Sequence, residues 1–192
     1  MKAQKSDKYD YITALASARK FHDVGKKYLD LWTKTGHLSA TDAFVSATNY
    51  GLALELYLKS LLIMEGATEI KGHHLDILFE KLSDDTKREI TKAYQNAGGL
   101  ERKEAFYIRG RLTGSNVDEA ANTPARGTKL NQMLKNNKDI FVIFRYMFEK
   151  ARTQNWEYFF FEYENLDVAI SALATVADQF LTPEEIQKVS TV

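Results

Sequence analysis

The chain of 192 residues contains no cysteine and only two prolines, Pro124 and Pro183. Without cysteine there are no disulfides, no thiolate metal sites and no cysteine nucleophile. Without proline before residue 124, long helices can run unobstructed through most of the molecule. An excess of either charge is also missing: 26 Lys and Arg stand against 26 Asp and Glu. No global field therefore draws the protein to nucleic acid or to an anionic membrane, and any such partner must be met by a local patch. No apolar run free of charge reaches the ~18 residues of a membrane span, and the opening MKAQKSDKYD has no apolar signal core. A soluble cytoplasmic protein with no membrane partner is expected. Neither HExxH, nor GxSxG, nor a glycine-rich phosphate loop after a strand occurs, and no metal or cofactor is implied.

What the chain does have is a long apolar stretch, Ser39 to Gly66, around which the rest is organised. Ser39 with Asp42 three residues on is a variant capping box, and Gly66 closes the pattern. On a helical wheel Phe44, Ala47, Leu54, Leu58, Leu61 and Leu62 fall on one side, and Val45, Leu52, Leu56 and Ile63 on the other, so both sides should be buried. Thr48, Glu55 and Lys59 form the exception, a narrow polar stripe, with Asn49 and Ser60 on a second small patch. Glu55 and Lys59 are four residues apart in the favourable order and can pair. A charge on so apolar a helix must be paired or turned to a wet cleft, because burying it alone costs several kcal/mol. The stripe is either a structural ion pair at the edge of the core or the lining of a groove.

Around this helix the remaining elements fall in order. Residues 8 to 34 repeat apolar side chains at helical spacing, with Ala14, Ala18 and Gly25 small enough for close approach. This helix should lie antiparallel on the central one across the connection Thr35 to Leu38. His22 borders its apolar face and reads as a packed, hydrogen-bonded residue. Residues 72 to 82 make a short amphipathic helix, whose His73 and His74 serve as a cap or line a site. Ser83, Asp84 and Asp85 open a further helix that ends at Gly98 and Gly99. The segment 98 to 127 is irregular, and Arg102, Lys103, Arg109 and Arg111 around Phe106 and Tyr107 are candidate phosphate contacts in it. From about Leu130 helical spacing resumes and culminates in residues 139 to 152, where Arg145 and Glu149 could pair or could answer Glu55 and Lys59. Residues 155 to 165 are dense in aromatics and read as extended, in the core or in a dimer interface. A final helix is predicted over Asp167 to Leu181, stopped by Pro183, with frayed residues beyond.

Three blocks resemble the HEPN superfamily of prokaryotic α-helical domains, found in toxin–antitoxin and phage-defence systems. The first is Asn49, Ala53, Glu55, Leu58 and Lys59. The second is Gly72, His74 or His73, Leu75, Leu78 and Phe79, and the third is Arg145, Tyr146 and Glu149. Together the blocks cover about a third of the chain. Ribonuclease members of that superfamily carry an arginine followed after four to six residues by a histidine on a late helix. Here the histidines are 22, 37, 73 and 74, and the window after Arg145 holds Lys150, Ala151 and Arg152, so the usual motif is absent.

The resemblance implies an all-α antiparallel bundle of five to six helices in one domain, with its core over about 8–97 and 128–181, and a homodimer. It implies a cleft lined by Asn49, Glu55, Lys59, His74, Arg145, Tyr146 and Glu149 that binds RNA, a nucleotide or a partner protein. Two rival expectations stand beside it. One is a metal-independent ribonuclease built from Arg145 with His73 or His74; the other is a purely structural dimerisation module.

Overall fold

A computed structural model describes residues 10–35, 40–101, 106–108, 128–141 and 159–191. Seven helices occur among the described residues, rather than five or six. They are α1 (Tyr11–Thr35), α2 (Ala40–Met64), α3 (Leu75–Glu80), α4 (Asp84–Asn96), α5 (Leu130–Asn136), α6 (Tyr163–Gln179) and α7 (Pro183–Thr191). The class is all-α. The described residues also hold one short antiparallel ribbon, in which β1 (Phe106–Ile108) pairs with β2 (Phe159–Phe161). Part of the segment expected to be irregular is therefore strand. Its FYI and FFF runs are aromatic and β-branched residue types that suit an extended backbone.

The central helix is enclosed on one broad side, while Val45, Leu52 and Leu56 on the other, and Phe44, are only half-buried, so the expectation of two buried sides holds in part. Ala47, Tyr50, Ala53, Leu54, Tyr57, Leu58, Leu61, Leu62, Ile63 and Met64 are all buried. Helix α1 runs antiparallel to it, with Gly25 and His22 opposite Tyr50 and Arg19 opposite Tyr57. Helix α6 closes the third side, running the same way as α2: Asp167 meets Tyr50, while Asp178 stands by Tyr57 and Arg19. Helix α4 packs on α6, α3 on α2, and α5 touches both α3 and α6. No helix among the described residues is long and apolar enough to cross a membrane.

Helix ends follow local chemistry. At the end of α2 the Gly66 N–H donates to Ile63 and the Ala67 N–H to Leu62, the paired bonds of a Schellman stop. Ser83 caps α4 by accepting from the Thr86 N–H, and its own N–H is taken by the Glu65 carboxylate from the end of α2. Two boundaries differ from those expected. Helix α6 begins at Tyr163, not Asp167, because Tyr163, Asn165 and Leu166 are all buried in the bundle and carry its helical face back one turn. Pro183 does not leave a frayed tail but opens α7. A proline at the first helical position forfeits only an N–H that has no helical partner. Thr182 and Glu185 complete a capping box around it, each side chain accepting from the other's backbone N–H. Glu185 also accepts from the Tyr11 hydroxyl, fastening α7 to the start of α1.

The α1–α2 crossing depends on one glycine. A Cβ at Gly25 would lie 2.6 Å from the Tyr50 ring and 3.2 Å from the Ser46 carbonyl, and the Ser46 hydroxyl donates to the Gly25 carbonyl at the same point. The ring cannot retreat, since Tyr50 is buried and its hydroxyl is held by Asp167. Gly25→Ala should therefore destabilise the fold by roughly 1–3 kcal/mol despite the helix preference of alanine. Urea unfolding of the two proteins side by side measures it.

Candidate functional site

The charged stripe of α2 becomes a specific cluster. Glu55 is nearly enclosed, its side chain 7% exposed, and its Oε1 accepts from Lys59 Nζ at 2.7 Å. The pair expected from the spacing is thus present. The same Oε1 lies 2.8 Å from His73 Nδ1, on the connector between α2 and α3. A carboxylate only accepts, so His73 donates through Nδ1 and turns Nε2 away. The other carboxylate oxygen, Oε2, is buried with no hydrogen-bond partner among the described residues.

A second histidine–carboxylate pair adjoins the first. His74 precedes the first residue of α3 but does not cap it; its Nδ1 lies 2.7 Å from Asp139 Oδ1 instead. The expectation of a capping histidine is corrected on this point, because Asp139 offers a charged acceptor that the helix terminus lacks. The backbone ties the same elements together, with the Leu75 N–H donating to the Lys138 carbonyl. His73 and His74 are 59% and 47% exposed, so the cluster opens to solvent. Asp76, in the first turn of α3, has a buried Oδ1 without a partner among the described residues.

Gly51 allows this geometry. A Cβ there would stand 2.8 Å from both the Ile140 side chain and the Phe141 backbone nitrogen, so the 137–141 segment crosses α2 in contact with its backbone. One turn along from that crossing lies Glu55, and the Phe141 ring sits 6.4 Å from the His73 ring. Behind the crossing, Glu162 is buried beside Asn137 and Asn165. Burial raises its pKa, partly offset by the Asn137 amide, which donates to it at 3.4 Å, and by the neighbouring Asn165 amide. Its charge and, more strongly, burial push Tyr94 up to about 12.

Other candidates fall elsewhere. The Asn49 amide donates to the Val45 carbonyl one turn back, and Ser60 likewise to Leu56. Both satisfy themselves on their own helix, and neither hydrogen-bonds to the Glu55 cluster. Arg145, Tyr146 and Glu149, and likewise Arg102, Lys103, Arg109 and Arg111, lie outside the described residues. No group of three or more histidine and acidic side chains among the described residues could hold a metal ion. A concavity of about 250 Å³ between α3, α4 and α5, walled by Phe79, Tyr94, Leu100 and Leu130, includes none of the candidate residues.

A further polar knot joins α1, α2 and α6. His22 Nε2 lies 2.6 Å from Asp167 Oδ1, the Tyr50 hydroxyl donates to the same oxygen at 3.2 Å, and Lys26 Nζ is 3.6 Å from Oδ2. His22 is thus the hydrogen-bonded residue its position suggested. Its partner lies 145 positions away, and nothing local in the sequence could have named it. The same holds for Asp139. Comparisons of the chain with protein-family models, with curated proteins and with solved structures found no match.

Burial alone would raise the Asp167 pKa, but hydrogen bonds from His22 and Tyr50 and the charges of His22 and Lys26 outweigh it, and the net shift is downward. A lowered folded-state value contributes stability above the ordinary carboxylate pKa of about 4, lost as pH falls through the lower folded value. Asp167→Asn should cost roughly 2 kcal/mol near neutral pH. The gap between variant and wild type should close below about pH 4, as read from unfolding curves across a pH series.

Proposed function

We propose that the chain is a HEPN-type helical protein without the usual arginine–histidine ribonuclease motif, and that it works by binding. The contact is made through the Glu55, Lys59 and His73 cluster, in a prokaryotic defence, toxin–antitoxin or regulatory system and in a homodimeric form. The order of the three sequence blocks supports the kinship, together with the all-α bundle that brings the first block against the second. One observation supports binding over a purely structural ion pair. Glu55 holds Lys59 and His73 on a single oxygen and leaves the other buried without a donor among the described residues. A pair serving only stability would be expected to satisfy both oxygens, because an orphaned buried acceptor costs about 1–3 kcal/mol.

A second reading, metal-independent RNA cleavage, has its own support. Both His73 and His74 tie Nδ1 to a carboxylate and keep Nε2 outward, the orientation an imidazole needs as general acid or base. Adjacent residues at an extended step point to different sides, however, and the two rings have different partners, Glu55 and Asp139.

The two readings separate in a pair of assays. In a thermal-shift panel of single-stranded RNA, mononucleotides and basic peptides, at least one member should raise the melting temperature by several degrees. That rise should vanish in the near-isosteric Glu55→Gln. No shift from any member would overturn the binding reading. Incubation with total RNA in chelator should leave the RNA intact; cleavage that disappears in His73→Ala or Arg145→Ala would establish the ribonuclease instead.

A further inference from the structure

Glu162 stands at the N-cap of α6, directly after β2, and is 3% exposed. A glutamate so enclosed needs a cation if it is ionised, because an unpaired charge away from water is costly. Among the described residues no cation reaches it. What faces it is neutral: the Asn137 amide at the end of α5, which donates to Oε2 at 3.4 Å, the Asn165 amide on α6, and Tyr94 on α4. Of the charges nearest along the chain, Asp139 bonds to His74, Lys138 is exposed, and Glu164 is half-buried and of the same sign. Tyr94 stays a phenol well beyond neutral pH, its hydroxyl donated to the Thr128 carbonyl. Asn165 is fully buried, and its Oδ1 lacks a donor among the described residues. A carboxylic acid carries the O–H that a carboxylate lacks. Protonated Glu162 therefore suits this place on both counts, bringing no charge and offering the amide beside it a donor.

Hydrogen bonds tie that carboxyl to the crossing over α2. Asn137 closes α5 and begins the crossing segment: its amide also donates to the Met133 carbonyl at 2.9 Å, and its own carbonyl accepts from the Ile140 N–H. Ile140 lies against Gly51, Asp139 beside it holds His74, and the Lys138 carbonyl accepts from the Leu75 N–H at the start of α3. We propose that Glu162 is a proton-operated latch on the 137–141 segment. With the proton on, the segment lies closed on α2 and holds His74; with the proton lost to solvent, the junction of α5 and α6 admits water and the segment loosens. The latch concerns how the cluster is held together and does not depend on what the cluster binds. Burial raises the Glu162 pKa more than the two amides lower it. The latch is therefore complete below the ordinary glutamate value of about 4.3 and is lost as pH rises through the higher folded value.

The test uses the full chain with isotope-labelled glutamate, followed by NMR across a pH series. The Glu162 carboxyl should titrate above the ordinary glutamate value; a midpoint at or below it would overturn the proposal, and this reading needs no variant to fold. Glu162→Gln keeps the shape, stays neutral and still offers Asn165 a donor. It should resist urea better than wild type at about pH 7 and match it below about pH 4. The latch itself is read by hydrogen exchange at the Leu75 and Ile140 N–H groups. Both should exchange about tenfold faster in wild type than in Glu162→Gln at about pH 8, and equally at about pH 4. His73, His74 and Asp139 titrate in both proteins and cancel in the comparison. Equal exchange at both pH values would overturn the latch even with a raised midpoint. So would a Glu162→Gln protein that unfolds more easily than wild type at about pH 7, since the fold would then be using the ionised carboxylate.

Discussion

A helix that is apolar on nearly every side must be surrounded, and the rest of this molecule follows from surrounding α2. Its buried residues span more than one face, so one neighbour is not enough; α1, α6 and the short α3 each take a share. Burial at about 25 cal/mol per Å² of apolar surface supplies the drive, yet it says nothing about angle or depth. Those are set where backbone meets side chain with no Cβ between them. At Gly25 the Tyr50 ring fills the space, and at Gly51 the 140–141 backbone does. Two missing methyl groups on the α1–α2 pair thus fix where the first helix and the 137–141 segment cross the central one.

The second crossing converts packing into chemistry. By pressing residues 137–141 onto α2, it brings Asp139 to His74 and Phe141 to His73 one turn from Glu55. None of these groups would be within reach if the segment stood off by the width of a side chain. A stability feature and a candidate site therefore share a residue, and a change at Gly51 would disturb both together.

Much of this was legible in the sequence, for reasons that can be named. The extents of α1, α2 and α4 follow from spacing plus caps, since periodicity, Ser83 and the closing glycines Gly66 and Gly98 are all local signals. So is the Glu55–Lys59 pair, because four residues on a helix are always neighbours. The start of α6 was missed because its first turn carries Tyr163 and Asn165, buried by tertiary packing in a way that aromatic density alone does not distinguish from strand. The α7 helix was missed because Pro183 reads as a stop until the threonine and glutamate three residues apart around it are recognised as a box. Asp139 and Asp167 were beyond reach for a different reason. Each finds its histidine across a long sequence separation, and pairing at that range depends on how helices stack.

Two of the enclosed carboxylates among the described residues, Asp167 and Glu55, contrast with one another, and the contrast supports the functional reading. Asp167 accepts from His22 and Tyr50 on one oxygen and has the Lys26 ammonium 3.6 Å from the other, so partners from two different helices attend both. Such a group ties three elements together. Glu55 is the more deeply buried of the two and yet, among the described residues, receives Lys59 and His73 on one oxygen and nothing on the other. Desolvation penalises an unsatisfied acceptor more as exposure falls, so the less satisfied carboxylate sits where dissatisfaction costs more. Asn165, fully buried, also leaves both amide atoms without a partner among the described residues, so dissatisfaction alone marks no site; at Glu55 it coincides with the half-exposed His73 ring. On that contrast Asp167 belongs to the scaffold, and Glu55 is the carboxylate on which the proposed binding depends.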